Sequence, residues 1–397
     1  MNVSNILSAI GNNNSVYPLI VRDCGIEVPV KIAMTYEQNK KESKKVAYLA
    51  ARERFLDEYA TSAVWLGGIP LIGKLCNFFI KKKGLNPDVN LKLFQNDKYQ
   101  GIDINIQKFK NIAPEAVKDL QKVKTNKKLF EKLLAGKFLL STSIPILFMG
   151  FILPKLVFKS SAKKIAELKE NKTQNPSFTG NWISKAANFS AQDKMAVTDG
   201  GYAVGRVTTA RNKNESLDLA FKMTGMMFLN FVMPKQIEKF LNKMTGVTLD
   251  PVMLADKEFL KEVKNNTLKL PKTSAPEDLF KFIDNPANKD TFFIKYANKF
   301  GKIKTLQNGI RDPREFVDVQ ALGNFRNNID NFIKNSKNSA DFEKFVKKSK
   351  ISKTANILTN VVLSSFLLAY ALPKAQFAFR KVVTGSDIEP GLVQAKM

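Results

Sequence analysis

Histidine is absent from this 397-residue chain, and cysteine occurs only twice. Without histidine there are no Ser-His or Cys-His nucleophile pairs, no imidazole metal ligands and no side chain matched to proton transfer near neutral pH. Two cysteines alone do not make an ordinary zinc site. Cys76 lies in an apolar segment, which argues against a structural disulfide with Cys24. Arginine is scarce too: only nine of the 63 basic residues, the rest being lysine. A nucleic-acid module calls for Arg-rich or aromatic-interleaved patches; none is visible, and the 30 phenylalanines fall mostly at helix-core spacing. The N-terminus, MNVSNILSAIGNNNS, carries no basic residue ahead of its short apolar stretch, so no secretory signal peptide is expected. Strict apolar–polar alternation is also rare, and only residues 16–34 suggest a short strand pair. Chemistry based on carboxylates or lysine stays open. No catalytic constellation stands out, and the expectation is a non-enzymatic chain with no metal and no cofactor.

What the chain does have is charge of one sign. Its formal net charge is +27, which points to an anionic partner such as acidic lipid or an acidic protein, with nucleic acid a weaker alternative. Codon usage in an A+T-rich genome produces the same lysine excess, and the lysines run along the whole chain without a basic tail.

Four apolar runs follow: Tyr59 to Gly73, Phe138 to Pro154, Met223 to Pro234 and Ala355 to Pro373. A bilayer-spanning helix needs roughly 20 predominantly apolar residues, so the second and fourth qualify and the first and third are marginal. Three runs close on Pro154-Lys155, Pro234-Lys235 and Pro373-Lys374, and the first has Pro70 followed by Lys74. Proline is expected to kink or end each helix. Lys74, Lys155, Lys235 and Lys374 are the candidate headgroup or interface contacts, their methylenes in the apolar layer and their ammonium groups toward phosphate. Beyond two of these prolines the pattern is amphipathic. Ile72, Leu75, Cys76 and Phe79 make one helical stripe, and Ile237, Phe240, Leu241 and Met244 another, with lysines off each stripe. The same stripes would face a core in a soluble protein.

The chain also repeats itself in order. Val21-Arg-Asp23-Cys-Gly25 is echoed by Val197-Thr-Asp199-Gly-Gly201, the Pro70 run by the Pro234 run, and Leu85-Asn86-Pro87 by Leu249-Asp250-Pro251. Ala113-Pro114-Glu115 matches Ala275-Pro276-Glu277, and the Pro154 run matches the Pro373 run. The offsets run 176, 164, 164, 162 and 219, which fits a duplication with an insertion in the second copy. The expected organisation is an N-terminal tail over 1–15 and a first repeat over 16–172, with apolar segments at 59–80 and 138–158. A linker over 173–191 leads to a second repeat over 192–386, with apolar segments at 217–234 and 355–379 and a helical insertion at about 285–335. A C-terminal tail covers 387–397. Asn86-Pro87, Asp250-Pro251 and Asp312-Pro313 read as helix starts, and Ser274-Ala-Pro276-Glu277 as a capping box. Every connecting loop is basic. The 81–136 connection carries 13 Lys against 6 acidic residues, and 159–215 carries 10 Lys plus Arg against 5, so loop charge sets no orientation.

One local motif is a candidate anion-binding loop, Gly200, Gly201 and Gly205 with Arg206, because glycines let backbone amides approach a phosphate. No G-K-[ST] follows it, so it is not a P-loop, and an ordinary turn is the competing reading. Gly201-x-x-x-Gly205 also fits a small-residue helix contact but lies outside the apolar runs. Arg311-Asp312-Pro313-Arg314-Glu315 clusters charge at a predicted helix start, and Asp218 and Lys222 are spaced to pair with each other. None of the four runs has a charge in its interior, which weighs against a secondary transporter. The fold expected is mainly α, an internally duplicated helical membrane protein, with localisation in a bacterial cytoplasmic membrane. Its expected role is binding anionic lipid or an acidic partner through Lys-rich loops. The alternatives are a soluble basic all-helical protein that binds nucleic acid or protein, and a passive pore or transporter-like protein.

Overall fold

The computed structural model describes residues 3–12, 17–41, 43–157, 191–386 and 390. The expected linker over 173–191, Ala191 apart, lies outside them, as does most of 387–397. The chain is mainly helical, 78% helix, and has no strand among the described residues; an isolated bridge joins Thr305 and Arg311. Two compact units form, one from Met1–Ser8, Cys76–Ala135 and Leu241–Asn356, the other from Ala9–Leu75, Gly136–Phe240 and Ile357–Met397.

The second unit is a helical bundle. Its helices are α1 (Val28–Lys40), α2 (Lys44–Lys82), α3 (Lys127–Val157), α4 (Ala191–Thr208), α5 (Lys213–Phe231), α6 (Met233–Thr245) and α7 (Phe342–Thr384); α2, α3, α6 and α7 extend into the first unit's segments. Three of them, α2, α3 and α7, are long and apolar enough to cross a membrane. The run at Met223–Pro234 does not add a fourth, because α5 ends at Phe231 and a new helix begins at Met233. Ser43 caps α2 by accepting the Val46 N–H at 3.1 Å, and Asn212 caps α5 by accepting the Glu215 N–H at 2.9 Å. Helix α7 stops at Gly385, whose φ of 72° suits a residue without a side chain.

Residues 16–34, expected as a strand pair, are helical from Tyr17 onward. The buried positions of α1 are Val28, Lys31, Thr35 and Asn39, spaced three and four apart. Its inward face is polar, so apolar alternation misread it.

A kink or an end was expected at each proline; Pro234 lies at a helix break, whereas the other three prolines leave their helices continuous. Helices α2, α3 and α7 run through Pro70, Pro154 and Pro373, each by way of a π-helical turn at Val64–Gly68, Phe148–Ile152 and Leu367–Ala371. A fourth π segment, Ile20–Glu27, precedes Pro29. Each π segment stops two residues before its proline. Proline has no N–H for the carbonyl four residues back, and its ring crowds that oxygen. Those carbonyls belong to Gly25, Leu66, Gly150 and Ala369, each inside the widened turn. The Gly150 carbonyl is taken instead by the Thr209 hydroxyl at 3.2 Å.

Packing in the bundle is reciprocal. Helix α1 lies along α2, and α4 along α5. Helix α4 also packs on the π turn of α3, while α1 and Ile20–Glu27 pack on the π turn of α7. Gly205 permits the first of these contacts. A Cβ there would sit 2.8 Å from the Gly150 Cα, which is backbone and has no room to yield. Gly205→Leu is therefore expected to destabilise the protein by about 2–3 kcal/mol or prevent folding, through overpacking. Gly73→Ala, where a new Cβ meets nothing within 4 Å, is expected to be neutral or to gain up to about 1 kcal/mol from helix propensity. Thermal unfolding of the two variants in detergent checks the contrast.

The first unit has an ordinary apolar interior. Its largest cluster joins Leu254, Phe259, Leu279, Phe293 and Ile329, and smaller ones form around Leu93 and Phe130 and around Phe109 and Val117. Asp250 caps Pro251–Ala255 as expected, accepting the Val252 N–H at 2.8 Å. Asp312-Pro313 does not open a helix; that helix starts at Val319, capped by Asp318. The reason is burial. Arg311 is held by the Asp284 carboxylate and Asn105 and stacks over Phe109 and Phe280. Asp312 is held by Arg314 at 2.9 Å. The charge cluster is an interior knot that pins this segment in irregular backbone. Ser274 does not cap the next helix either: Ala275 occupies the cap position of Pro276–Ile283.

Candidate functional site

The bundle of the second unit buries charge. Helix α2 turns one face inward along Ala47, Ala50, Glu53, Asp57, Glu58 and then Thr61 and Trp65, a spacing of three to four that is polar where an amphipathic core helix would be apolar. The cations of the network come from α1, α2, α4, α5 and α7, from the Ile20–Glu27 segment and from the turn between α4 and α5. Arg211 meets Glu215 at 2.7 Å and Glu53 at 3.4 Å. Arg206 meets Asp57 at 2.9 Å. Lys222 and Arg54 converge on Glu58 at 2.8 and 3.3 Å. Arg380 grips Asp218 with two N–H groups at 3.0 and 2.8 Å, and the Gln376 amide donates to the same carboxylate at 2.8 Å. Lys31 pairs with Glu27 one helical turn away, and Arg22 with Asp23 at 3.2 Å. Desolvating so many ions is costly unless each is matched. Here seven cations meet seven carboxylates.

Arginine use follows from this. Eight of the nine arginines form carboxylate ion pairs, three of them outside the bundle at Asp284, Asp330 and the Asp119–Asp312 pair. A guanidinium offers a planar fork of donors and is more weakly hydrated than an ammonium, so it suits buried pairs. The composition is lysine-biased, yet arginine makes most of the interior pairs, with Lys31 and Lys222 as the buried lysines.

Beside the network is a half-open cavity of about 80 Å³. Four carboxylates line it, from Asp23, Glu27, Glu58 and Asp199, and no lysine or arginine does. Trp65, Tyr202 and Phe231 supply aromatic wall, and Met223, Met226 and Met227 supply thioethers. Asp199 is in none of these pairings; the Trp65 indole lies beside it, its N–H short of a full hydrogen bond. Glu27 is 2% exposed, and its Oε2, the oxygen Lys31 does not take, has no partner. Among the described residues no group of three or more His, Cys, Asp or Glu is arranged to hold a metal.

The candidate anion loop is not a loop. Gly200, Gly201, Gly205 and Arg206 all lie on α4. Gly201 and Gly205 face α3 at Ile146 and Gly150, the small-residue contact that had been set aside because it fell outside the apolar runs. Arg206 is buried against Asp57. The expected Asp218–Lys222 pair does not form; each finds a partner on another helix, Arg380 and Glu58. Lys74, Lys155, Lys235 and Lys374 are all exposed, and the Lys374 ammonium lies 5.7 Å from the Tyr370 ring. Cys24 and Cys76 are free thiols.

Sequence reading missed the acidic wall for a definite reason. Its residues precede or flank the apolar runs rather than interrupt them, so the runs look uncharged. The legible signal was the helical spacing of Glu53, Asp57 and Glu58, continuous with Thr61 and Trp65 inside the first run. No protein family, curated protein or solved structure matches this chain.

Proposed function

We propose that this is an integral membrane protein of two related halves whose bundle keeps a charged interior away from lipid, and that its role is transporter-like: holding a polar solute within that interior. One observation carries the reading, the inverted distribution of polarity. Leu140, Ile144, Leu147, Leu358, Val362 and Phe366 point outward on α3 and α7, while Glu53, Asp57, Asp218, Lys222 and Arg380 point inward. Only 6% of the most apolar stretch of α2 is buried. In water this arrangement sacrifices apolar burial and desolvates ions together; in a bilayer both features are expected.

The duplication is supported by the reciprocal packing. Each half contributes a helical hairpin, α1–α2 or α4–α5, and a long proline-bearing helix, α3 or α7. Each hairpin packs on the π turn of the other half's long helix, an exchange suited to two copies of one unit, and α5 packs in addition on α7 of its own half. Asp23 and Asp199, the matching aspartates of the repeated V-x-D-x-G motif, line one cavity. Lys74, Lys155, Lys235 and Lys374 engage anionic headgroups, at about 1 kcal/mol for each lysine near the surface, and the remaining Lys-rich surface is open to an acidic partner. The interior charges answer the objection drawn from uncharged apolar runs.

Sequential extraction of membranes from expressing cells, with high salt, then alkaline carbonate, then detergent, tests the reading. Release by detergent alone is expected. Release by salt would overturn it in favour of a soluble basic protein held by its lysines.

A further inference from the structure

We propose that the cavity between α1, α2, α4 and α5 binds an organic ammonium cation, with Asp199 as its counter-charge and Trp65 and Tyr202 as its aromatic wall. The proposal names the solute class for the transporter-like reading above and rests on that reading for its biological use; the binding itself requires only the folded bundle. Three observations converge. Every charged side chain on the wall is a carboxylate, and the cations that pair with them, Lys31, Arg22, Arg54 and Lys222, are not on the wall. Among the described residues Asp199 has no cationic partner, and a buried carboxylate oxygen of Glu27 in the same wall has no hydrogen bond. A half-buried carboxylate with no cation beside it is neutralised by a proton or by an added positive charge, and a cationic ligand competes for that place.

The chemistry of the wall selects which cation. A small hard metal ion demands six or more oxygens at close range, and these carboxylates do not converge that way. An alkylammonium presents a diffuse charge and an apolar body. The first is matched by a carboxylate together with indole and phenol faces, the second by the three thioethers and Phe231. The volume of about 80 Å³, several times the roughly 10–15 Å³ that one water needs, admits a molecule larger than a bare ion.

The test uses the full-length protein, folded in a mild detergent, titrated by calorimetry with tetramethylammonium chloride and with n-butylammonium chloride at constant ionic strength. Saturable binding of at least one is expected. Asp199→Asn is expected to weaken it at least about tenfold, through loss of the counter-charge to the ammonium, without lowering the melting midpoint, since Asp199 gives up no ion pair. A second measurement needs no variant: carbodiimide coupling of glycine ethyl ester at Asp199 and Glu27, mapped by mass spectrometry, should slow when tetramethylammonium is present. The proposal is overturned if folded protein binds neither ammonium, if sodium or calcium competes as well as they do, if Asp199→Asn binds like the parent, or if the ammonium gives no protection. None of these readouts depends on membrane insertion, which the extraction experiment reports separately.

Discussion

Arg380→Met should cost about 3–5 kcal/mol of stability, the loss expected when one partner of a buried ion pair is removed. Arg380 is 0% exposed and holds both oxygens of Asp218. Its removal leaves a carboxylate inside the bundle with only the Gln376 amide to satisfy it. The double variant Asp218→Leu/Arg380→Met should recover most of the loss, because two apolar side chains need no partner. Thermal melting of the two variants in the same detergent gives the comparison. A double variant as unstable as the single would mean that the site's cost lies in packing rather than in uncompensated charge. Since α5 and α7 meet through this pair from positions 162 residues apart, the single variant should also loosen the hairpin α4–α5, seen as earlier proteolysis within it.

Val362→Lys should sharply reduce carbonate-resistant membrane association. Val362 is 66% exposed and lies midway along the apolar stretch of α7. A lysine at the centre of a membrane helix costs about 2.5–3.5 kcal/mol on insertion-derived scales. Val382→Lys is the control: it is still more exposed, at 86%, but lies at the helix end beyond Pro373 and close to Lys381, where a lysine reaches the interface. It should insert like the parent. Equal behaviour of the two variants would show that the exposed stripe of α7 does not face lipid. On an aqueous surface, both substitutions would stay within about 0.5 kcal/mol of neutral.

The contrast between these two experiments is also a contrast between what is local and what is not. The outward stripe of α7 can be read from Ala355 to Pro373 alone, because helix periodicity and run length are properties of neighbouring residues. The prolines could be seen but their effect could not. The penalty at Pro154 is resolved by widening the turn and lending the Gly150 carbonyl to Thr209, a residue 59 positions away. The segment from Asp199 to Arg206 looked like a turn because glycine favours turns in isolation. Its glycines are there so that α4 can approach α3 at Gly150, a requirement that exists only once both helices are placed. Asp312-Pro313 carried a proper helix-start signal, yet the burial of Arg311 against Asp284 overrode it.

The sequence by itself determined the helical class, the length and apolarity of the spanning candidates, and one cap, Asp250. These depend on a residue and its neighbours within one or two turns. Tertiary structure alone decided which charges face each other. Arg206 and Asp57 lie 149 residues apart, Lys222 and Glu58 lie 164 apart, and Asp218 turned from the nearby Lys222 to the distant Arg380. Nothing in local spacing ranks such partners, because the energy of a buried ion pair depends on the desolvation and geometry that the whole bundle imposes. For the same reason Asp199 stood out only after the other seven carboxylates had found their cations.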